Sequence, residues 1–339
     1  MPSQAPISVI VPAYNAERFI ALTLQSIHEQ TLPAAEVIVV DDGSVDRTFE
    51  IARNFNVRII RQSNMGLSAA RNAGIRAATQ PWIALIDADD LWARDKIEQQ
   101  WKALSLCPEA DMISCDYQRI DSRGHLLDLP KFDPHLRRQY ALAHGLPLEP
   151  STTVFKKVSG DLFPLFSLLP SAILVKREAL LASGLFDEKL CCTEDLECFL
   201  RVLADRSLLV IERPLVYYRR HEDNLSNNVL EMHLALEEVG EKINSSVDQY
   251  VTGVKEAFQK YLLQSAIESG RQLIDRQQFA EARTLFLRVL KKKYLWRPAF
   301  LFIFSYSPQV VFKGALKIKR VLVRMKIINE EMQFCLLKN

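Results

Sequence analysis

The chain has six cysteines, Cys107, Cys115, Cys191, Cys192, Cys198 and Cys335, and none form a Cys-x-x-Cys pair or a regular framework. That argues against a disulfide scaffold and fits free thiols in a reducing compartment. Cys191 and Cys192 have no His or Cys partner at zinc spacing, so they read as packing residues. No apolar run reaches about 18 residues without a charge or a break, and no transmembrane helix is expected. Met1 to Pro6 lacks a basic stretch followed by an apolar one, so no signal peptide is expected. Acid is absent from one long stretch. Between Arg288 and Lys326 there are eleven basic residues and no Asp or Glu, and with those eleven set aside the net charge of +2 becomes −9.

What is present is a globular composition, 48% hydrophobic and 25% charged over 339 residues, enough for one large domain and a smaller one. Ile7-Ser8-Val9-Ile10-Val11-Pro12 reads as a buried strand, followed by Ala13-Tyr14-Asn15-Ala16-Glu17 and an amphipathic helix from Phe19 to Gln30. Glu36 to Val40 is a second strand that runs into Asp41-Asp42-Gly43-Ser44. Asp42 or Ser44 can cap the helix from Asp46 to Phe55, but a cap needs one carboxylate and two stand there. After a short third strand, Val57 to Ile60, comes Gln62-Ser63-Asn64-Met65-Gly66-Leu67-Ser68-Ala69-Ala70-Arg71-Asn72-Ala73-Gly74. It lacks both Rossmann and Walker spacing. Its small residues let a helix pack close to a sheet, its N-terminus suits an anion, and Arg71 can pair with a carboxylate or phosphate.

The fourth strand, Trp82 to Ile86, delivers Asp87-Ala88-Asp89-Asp90. Strands alternating with helices from Ile7 to Leu106 imply right-handed crossovers and a mainly parallel sheet, so these clusters converge on its carboxyl edge. Clustered carboxylates suit a hard cation such as Mg²⁺ or Mn²⁺. The stretch also reads as a strand followed by an acidic helix start, with Asp90 as the cap.

The segments Val-Ile-Val-Pro-Ala-Tyr-Asn, Val-Val-Asp-Asp-Gly-Ser, Asn-Met-Gly-Leu-Ser-Ala-Ala-Arg-Asn-Ala-Gly and Leu-Ile-Asp-Ala-Asp-Asp together resemble family 2 glycosyltransferases of the GT-A fold. The resemblance implies an α/β fold with a mainly parallel central sheet flanked by helices, a nucleotide-diphosphate-sugar donor such as a UDP-sugar, and inversion at the anomeric carbon. By position it implies donor contacts at Pro12, Tyr14 and Asp42, with less weight on Asp41. Ala13, Asn15, Glu17, Asn64 and Ala88 fall in the same donor set. Arg71 matches an arginine near the base, Asp87 the first acid of an Asp-x-Asp motif and Asp89 its metal-binding second acid, with Mn²⁺ or Mg²⁺ as cofactor.

Further on, Leu126 to Phe166 mixes prolines, aromatics and basic residues, as an acceptor-side lid or a variable surface excursion would. Cys192-Thr193-Glu194-Asp195-Leu196 marks a helix start by its cap and acids. Its Glu-Asp pair also resembles the family's catalytic pair, which makes Asp195 the general base and lets Glu194 orient the acceptor. Leu208 to Ile211 and Val216 to Tyr218 read as a final strand pair. Tyr218-Arg219-Arg220-His221 then resembles a family segment in which His221 touches metal or diphosphate and Arg219 or Arg220 clamps phosphate. A histidine near the surface is otherwise simply solvated.

A catalytic domain over 1–228 is expected, with a nucleotide-sugar half over about 5–110 and an acceptor half over 111–228. A helical region over 229–339 comes after it. Arg271 to Phe286 reads as one helical hairpin. Leu295 to Phe304, apolar and aromatic amid basic residues, fits a helix in the interface of an anionic membrane or a hairpin packed on the catalytic domain. No aromatic-interleaved RNA motif accompanies the basic stretch, so nucleic acid is not an expected partner. The acceptor is expected to be a glycan or lipid-linked hydroxyl of cell-surface polysaccharide synthesis, on the cytoplasmic face of the membrane. A non-catalytic nucleotide-sugar-binding scaffold is the alternative. A nucleotidyltransferase would need a glycine- and lysine-rich loop where Val11 to Asn15 stands.

Overall fold

A computed structural model of the chain describes residues 3–128, 146–149, 152–160 and 168–292. In chain order the elements are β1 (Ala5–Ala13), α1 (Ile20–His28), β2 (Ala34–Asp41), α2 (Thr48–Ala52), β3 (Arg58–Arg61), α3 (Leu67–Ala77), β4 (Trp82–Leu85), β5 (Leu91–Trp92), α4 (Lys96–Leu106), β6 (Met112–Ile120), β7 (Leu126–Asp128), β8 (Leu146–Glu149) and β9 (Thr152–Phe155). They continue with β10 (Leu174–Lys176), α5 (Arg177–Ala182), α6 (Glu194–Val202), β11 (Leu208–Arg219), α7 (Val229–Ser245), α8 (Val254–Asp275) and α9 (Phe279–Lys292).

Among the described residues eleven strands form one sheet in the order β3-β2-β1-β4-β10-β6-β11-β9-β8, with β5 on β11 and β7 on β6. The first four are parallel, because each crosses over through a helix. Beyond β4 the sheet is mixed. β10 is antiparallel to both β4 and β6, and β6 is parallel to β11. The expected α/β fold with a helix-flanked central sheet is therefore present, its parallel part concentrated in the first four strands. β1 and β4 are buried on both faces, which explains their unbroken apolar character. Helix α3 lies close to β1 and β2 because Gly74 has no side chain: a Cβ there would run into Ile10 and Val40.

Local differences from the expectations have local causes. The expected strand pair near the end of the catalytic region is one strand, β11, whose pairing with β6 shifts register on either side of Pro214. The break that proline implies is absorbed as an irregularity within a continuous strand. The N-cap position of α2 is Arg47, and just before it Asp46 Oδ1 accepts from the Thr48 N–H at 2.9 Å; neither Asp42 nor Ser44 caps the helix. Helix α6 does start after Thr193, but Thr193 sits at φ 60° and its hydroxyl donates to the Cys192 carbonyl instead of the helix.

Among the described residues, those up to 227 with 234–260 form one compact unit, and residues 228–233 with 261–292 form another. In the first, the buried Glu197 of α6 accepts from Arg201, from Lys242 at 2.7 Å and from Tyr250 at 2.7 Å, so chain beyond residue 228 braces the helix that carries Asp195. The second gathers Val229, Ala266, Leu273, Ala282, Leu285, Phe286 and Val289 into its own core. There Gly270 leaves space for the Phe286 ring, which joins the paired helices of the expected hairpin. No helix among the described residues is long and apolar enough to cross a membrane. The Leu295–Phe304 run, the basic residues from Lys293 on and much of the 126–166 stretch lie outside the described residues.

One buried cation in the first unit has no acid for company. Lys96 in α4 donates to Gln100 Oε1 at 2.8 Å and sits 4.1 Å from the centroid of the Trp92 ring. Burial pushes its ammonium down from 10.5 to about 8. Below pH 8 the folded state bears the cost of that charge, and stability rises as pH climbs from about 8 toward 10.5, where only the unfolded chain keeps the proton. Lys96→Met should therefore raise stability at pH 7 by about 1–3 kcal/mol. The gain over wild type should shrink by pH 10, as read from urea midpoints at both pH values.

Candidate active site

The carboxyl ends of β1, β2 and β4 lie side by side, with Ala13 opposite Asp41 and Ile10 opposite Leu85, so the loops leaving these strands meet at one edge. The loop after β1 is stitched to the loop after β2. Asn15 donates its N–H to Ser44 Oγ at 3.0 Å and accepts from the Val45 N–H at 3.0 Å. The Glu17 N–H goes to Asp46, and the Glu17 carboxylate accepts from the Arg47 N–H. Pro12 and Ala13 are buried in β1, Asn64 is exposed, and Tyr14 stands half in solvent. Val45 and Met65, which drew no notice in the sequence, are also exposed at this edge.

Two acids expected to face the donor are turned inward. Asp42 accepts from the Met65 and Gly66 N–H groups at 2.9 and 2.8 Å and from Gln62, and so fixes the loop that leads into α3. Asp41 accepts from the Ser44 N–H and pairs with Arg61 at 2.9 Å. Both are buried, and both hold the loops that shape this edge in place of an open contact.

After β4 the three acids separate. Asp90, expected as a helix cap, is fully buried. It accepts the Ser171 hydroxyl at 2.5 Å and the Arg219 N–H at 2.9 Å, and α4 begins only at Lys96. Burial, then the charges of Asp89 and Asp87, push its carboxyl well up. The Ala88 carbonyl accepts from Thr23 in α1, which fixes the turn. Asp89 stays partly open and meets His221 Nε2 at 2.9 Å. Because His221 Nδ1 accepts the Asp223 N–H, the ring proton falls on Nε2, facing Asp89. The Phe19 ring lies 4.7 Å from the imidazole and holds it in place, a contact the sequence pattern did not signal.

The arginines also differ from expectation. Arg219 is buried and donates to the carbonyls of Asp89, Asp121 and Ser122, while Arg220 donates to Ser226 and Asn227. Arg220 has both terminal nitrogens on loop oxygens, whereas Arg219 uses Nε and Nη1 and keeps a buried Nη2 without a partner among the described residues. Arg71, expected near a base, is 1% exposed and joins Asp87 to Glu194. Glu194 is thereby pinned and not open to an acceptor. The neighbouring Asn72 grips the backbone of Phe186 and the Glu188 carboxylate, which brings the Gly184–Glu188 segment against α3. Asp195 is left half-buried at the first turn of α6, its carboxyl pushed up to about 7 by burial and the adjacent Glu194 charge, with Arg71 opposing.

Among the described residues no group of three His, Cys, Asp or Glu side chains forms a ready-made cation site. Asp89, with His221 and Asp87 beside it, is a partial set. It fits a Mg²⁺- or Mn²⁺-type ion that takes one or two carboxylates from protein and the rest from phosphate and water.

A half-parallel sheet with this acidic carboxyl edge is a GT-A-type transferase fold. S. aureus TarS residues 1–349, solved in complex with UDP-GlcNAc, superpose with a TM-score of 0.62 at 16% identity over 89% of this chain and 92% of that one. The family model for glycosyl transferase family 2 matches residues 8–152. An uncharacterized glycosyltransferase of Rickettsia typhi is 30% identical over 237 residues, 66% of this chain and 67% of that one. The putative glycosyltransferase EpsH of Bacillus subtilis is 38% identical over 128 residues, 36% of this chain and 37% of that one. The chain belongs to glycosyltransferase family 2.

The buried Asp90 gives a test of how the site is built. Asp90→Asn can keep both partners, whereas Asp90→Ala strands the Arg219 N–H and the Ser171 hydroxyl. Asp90→Ala should cost about 2–4 kcal/mol and Asp90→Asn under about 1, measured by denaturant unfolding.

Proposed function

We propose that the protein is an inverting glycosyltransferase that moves a sugar from a nucleotide-diphosphate-sugar, a UDP-sugar, to a hydroxyl of a glycan or lipid-linked acceptor in cell-surface polysaccharide synthesis. The observation that carries this is Asp195. It stands in one electrostatic cluster with Glu194, Arg71 and the donor-side Asp87, and its carboxyl is held near neutrality. A base poised near the working pH can take the acceptor hydroxyl proton as the oxygen attacks, and direct displacement needs no covalent enzyme intermediate.

Exposed Tyr14, Val45 and Met65 offer apolar surface for the nucleoside at the end of the parallel strands, where ligands of open α/β sheets bind. The TarS complex with UDP-GlcNAc supports a UDP-sugar as donor. Asp89 would hold Mn²⁺ or Mg²⁺, with Asp87 and His221 alongside, and such an ion would stabilise the charge that gathers on the departing diphosphate. His221, its Nε2–H on Asp89, orients that carboxylate.

Asp195→Asn should lower sugar transfer by a factor on the order of 10²–10⁴ while UDP affinity stays within about threefold. UDP release from UDP-sugars is the assay. In wild type the rate should climb with pH through about 7 as the carboxyl loses its proton, and a flat profile from pH 5 to 9 would remove Asp195 from the base role. Asp89→Ala should abolish the Mn²⁺-dependent part of UDP binding in calorimetry. Equal titrations with and without Mn²⁺ in wild type would count against the cation site.

A further inference from the structure

Arg71 is, with Arg219, one of the two bulkiest fully buried side chains among the described residues of the first unit. Its Nη2 donates to Asp87 Oδ1 at 2.7 Å and its Nη1 to Glu194 Oε1, across 123 residues of chain. Nε has no hydrogen-bond partner, and the face of the guanidinium lies 5.4 Å from the Phe186 ring centroid. The group therefore holds each carboxylate by one nitrogen and spans the gap between them. Two segments meet there that are remote in sequence: the turn after β4 with the donor-side acids, and the first turn of α6 with Asp195.

We propose that Arg71 is a positioning residue, a buried strut that ties Asp87 on the donor side to the helix carrying Asp195 and balances the charge of Glu194 beside that base. The inference rests on Asp195 as the base. Four groups act on the Asp195 carboxyl: Glu194 and the Leu196 N–H, which donates to it at 2.7 Å, from its own helix, Arg71 from α3 and Asp87 from the turn after β4. Arg71 is the single cation among these. Burial alone would lower its own pKa, but Asp87, Glu194 and Asp195 together raise it, so it stays charged under all working conditions. A lysine could not replace it, since one ammonium cannot take two carboxylates at the separation that the planar fork spans. The same contact has two consequences. It holds α6 against the donor edge, and it keeps the Glu194 charge from driving the base fully protonated.

The test is a carboxyl-¹³C NMR titration of the full chain labelled at aspartate, which needs neither donor nor acceptor. The Asp195 signal, assigned by its loss in Asp195→Asn, should titrate near 7 in wild type. Glu194→Gln keeps an oxygen for Arg71 but drops the negative charge, and the midpoint should fall by about one unit; Arg71→Met should raise it by about one unit or more. The double variant should return toward wild type. A residue that only filled space would shift neither midpoint. Because Arg71→Met alone strands buried carboxylates and risks misfolding, the step from Glu194→Gln to the double variant decides: an Asp195 midpoint that does not rise on that step overturns the strut. If the midpoint moves while Asp195→Asn still transfers sugar, the coupling stands and the base assignment falls.

Discussion

Acid has to be kept at one edge of a sheet whose strands are otherwise apolar, and the buried Arg71 guanidinium makes that arrangement tolerable. Asp87, Glu194 and Asp195 would repel one another in a poorly solvated setting, and a single cation shared among them offsets the repulsion. The cation sits in α3, so the position of α3 governs the site. Gly74 lets α3 approach β1 and β2, Asp42 holds the loop that enters it at Met65 and Gly66, and Asn72 latches the Gly184–Glu188 segment to it.

A second layer of polar bonds carries the same edge toward β11. Asp90 joins Ser171 to the backbone of Arg219, Arg219 returns to the carbonyl of Asp89, and His221 reaches the carboxylate of Asp89. Phe19, at the head of α1, packs its ring against both His221 and the Arg219 guanidinium. The exposed acid is thus oriented by residues from three separate stretches of chain. Behind Asp195, Lys242 and Tyr250 hold Glu197, so the first unit draws on chain past residue 228.

Much of this was legible in the residues. β1 and β4 show as unbroken apolar runs with acid or turn residues at their ends, because strands buried on both faces tolerate nothing else. The crossover helices and the parallel order come from the alternation. The Glu194-Asp195 pair announces a helix start whatever its function. Harder to read were the partners of each charged side chain. Asp42 resembles a ligand contact in its motif, and only the path of residues 62–66 shows its oxygens already filled. Asp90 looks like a cap until the short β5 intervenes before α4. Pro214 suggests a strand break, yet β11 runs through it because the register can slip beside β6.

By itself the sequence determined the strand and helix periodicities, the acidic edge and the segments that mark glycosyltransferase family 2, since each is a local pattern of side-chain type and spacing. Which acids stay open to a ligand was decided by tertiary structure alone. Asp89 remains accessible while Asp41, Asp42 and Asp90 are consumed as supports, and Arg71, Arg219 and Arg220 are turned to protein oxygens. A carboxylate's availability depends on which donors the folded chain brings within about 3 Å of it. Apart from the Ser44 N–H on Asp41, those donors come from positions about twenty to more than a hundred residues away, beyond the reach of any local pattern.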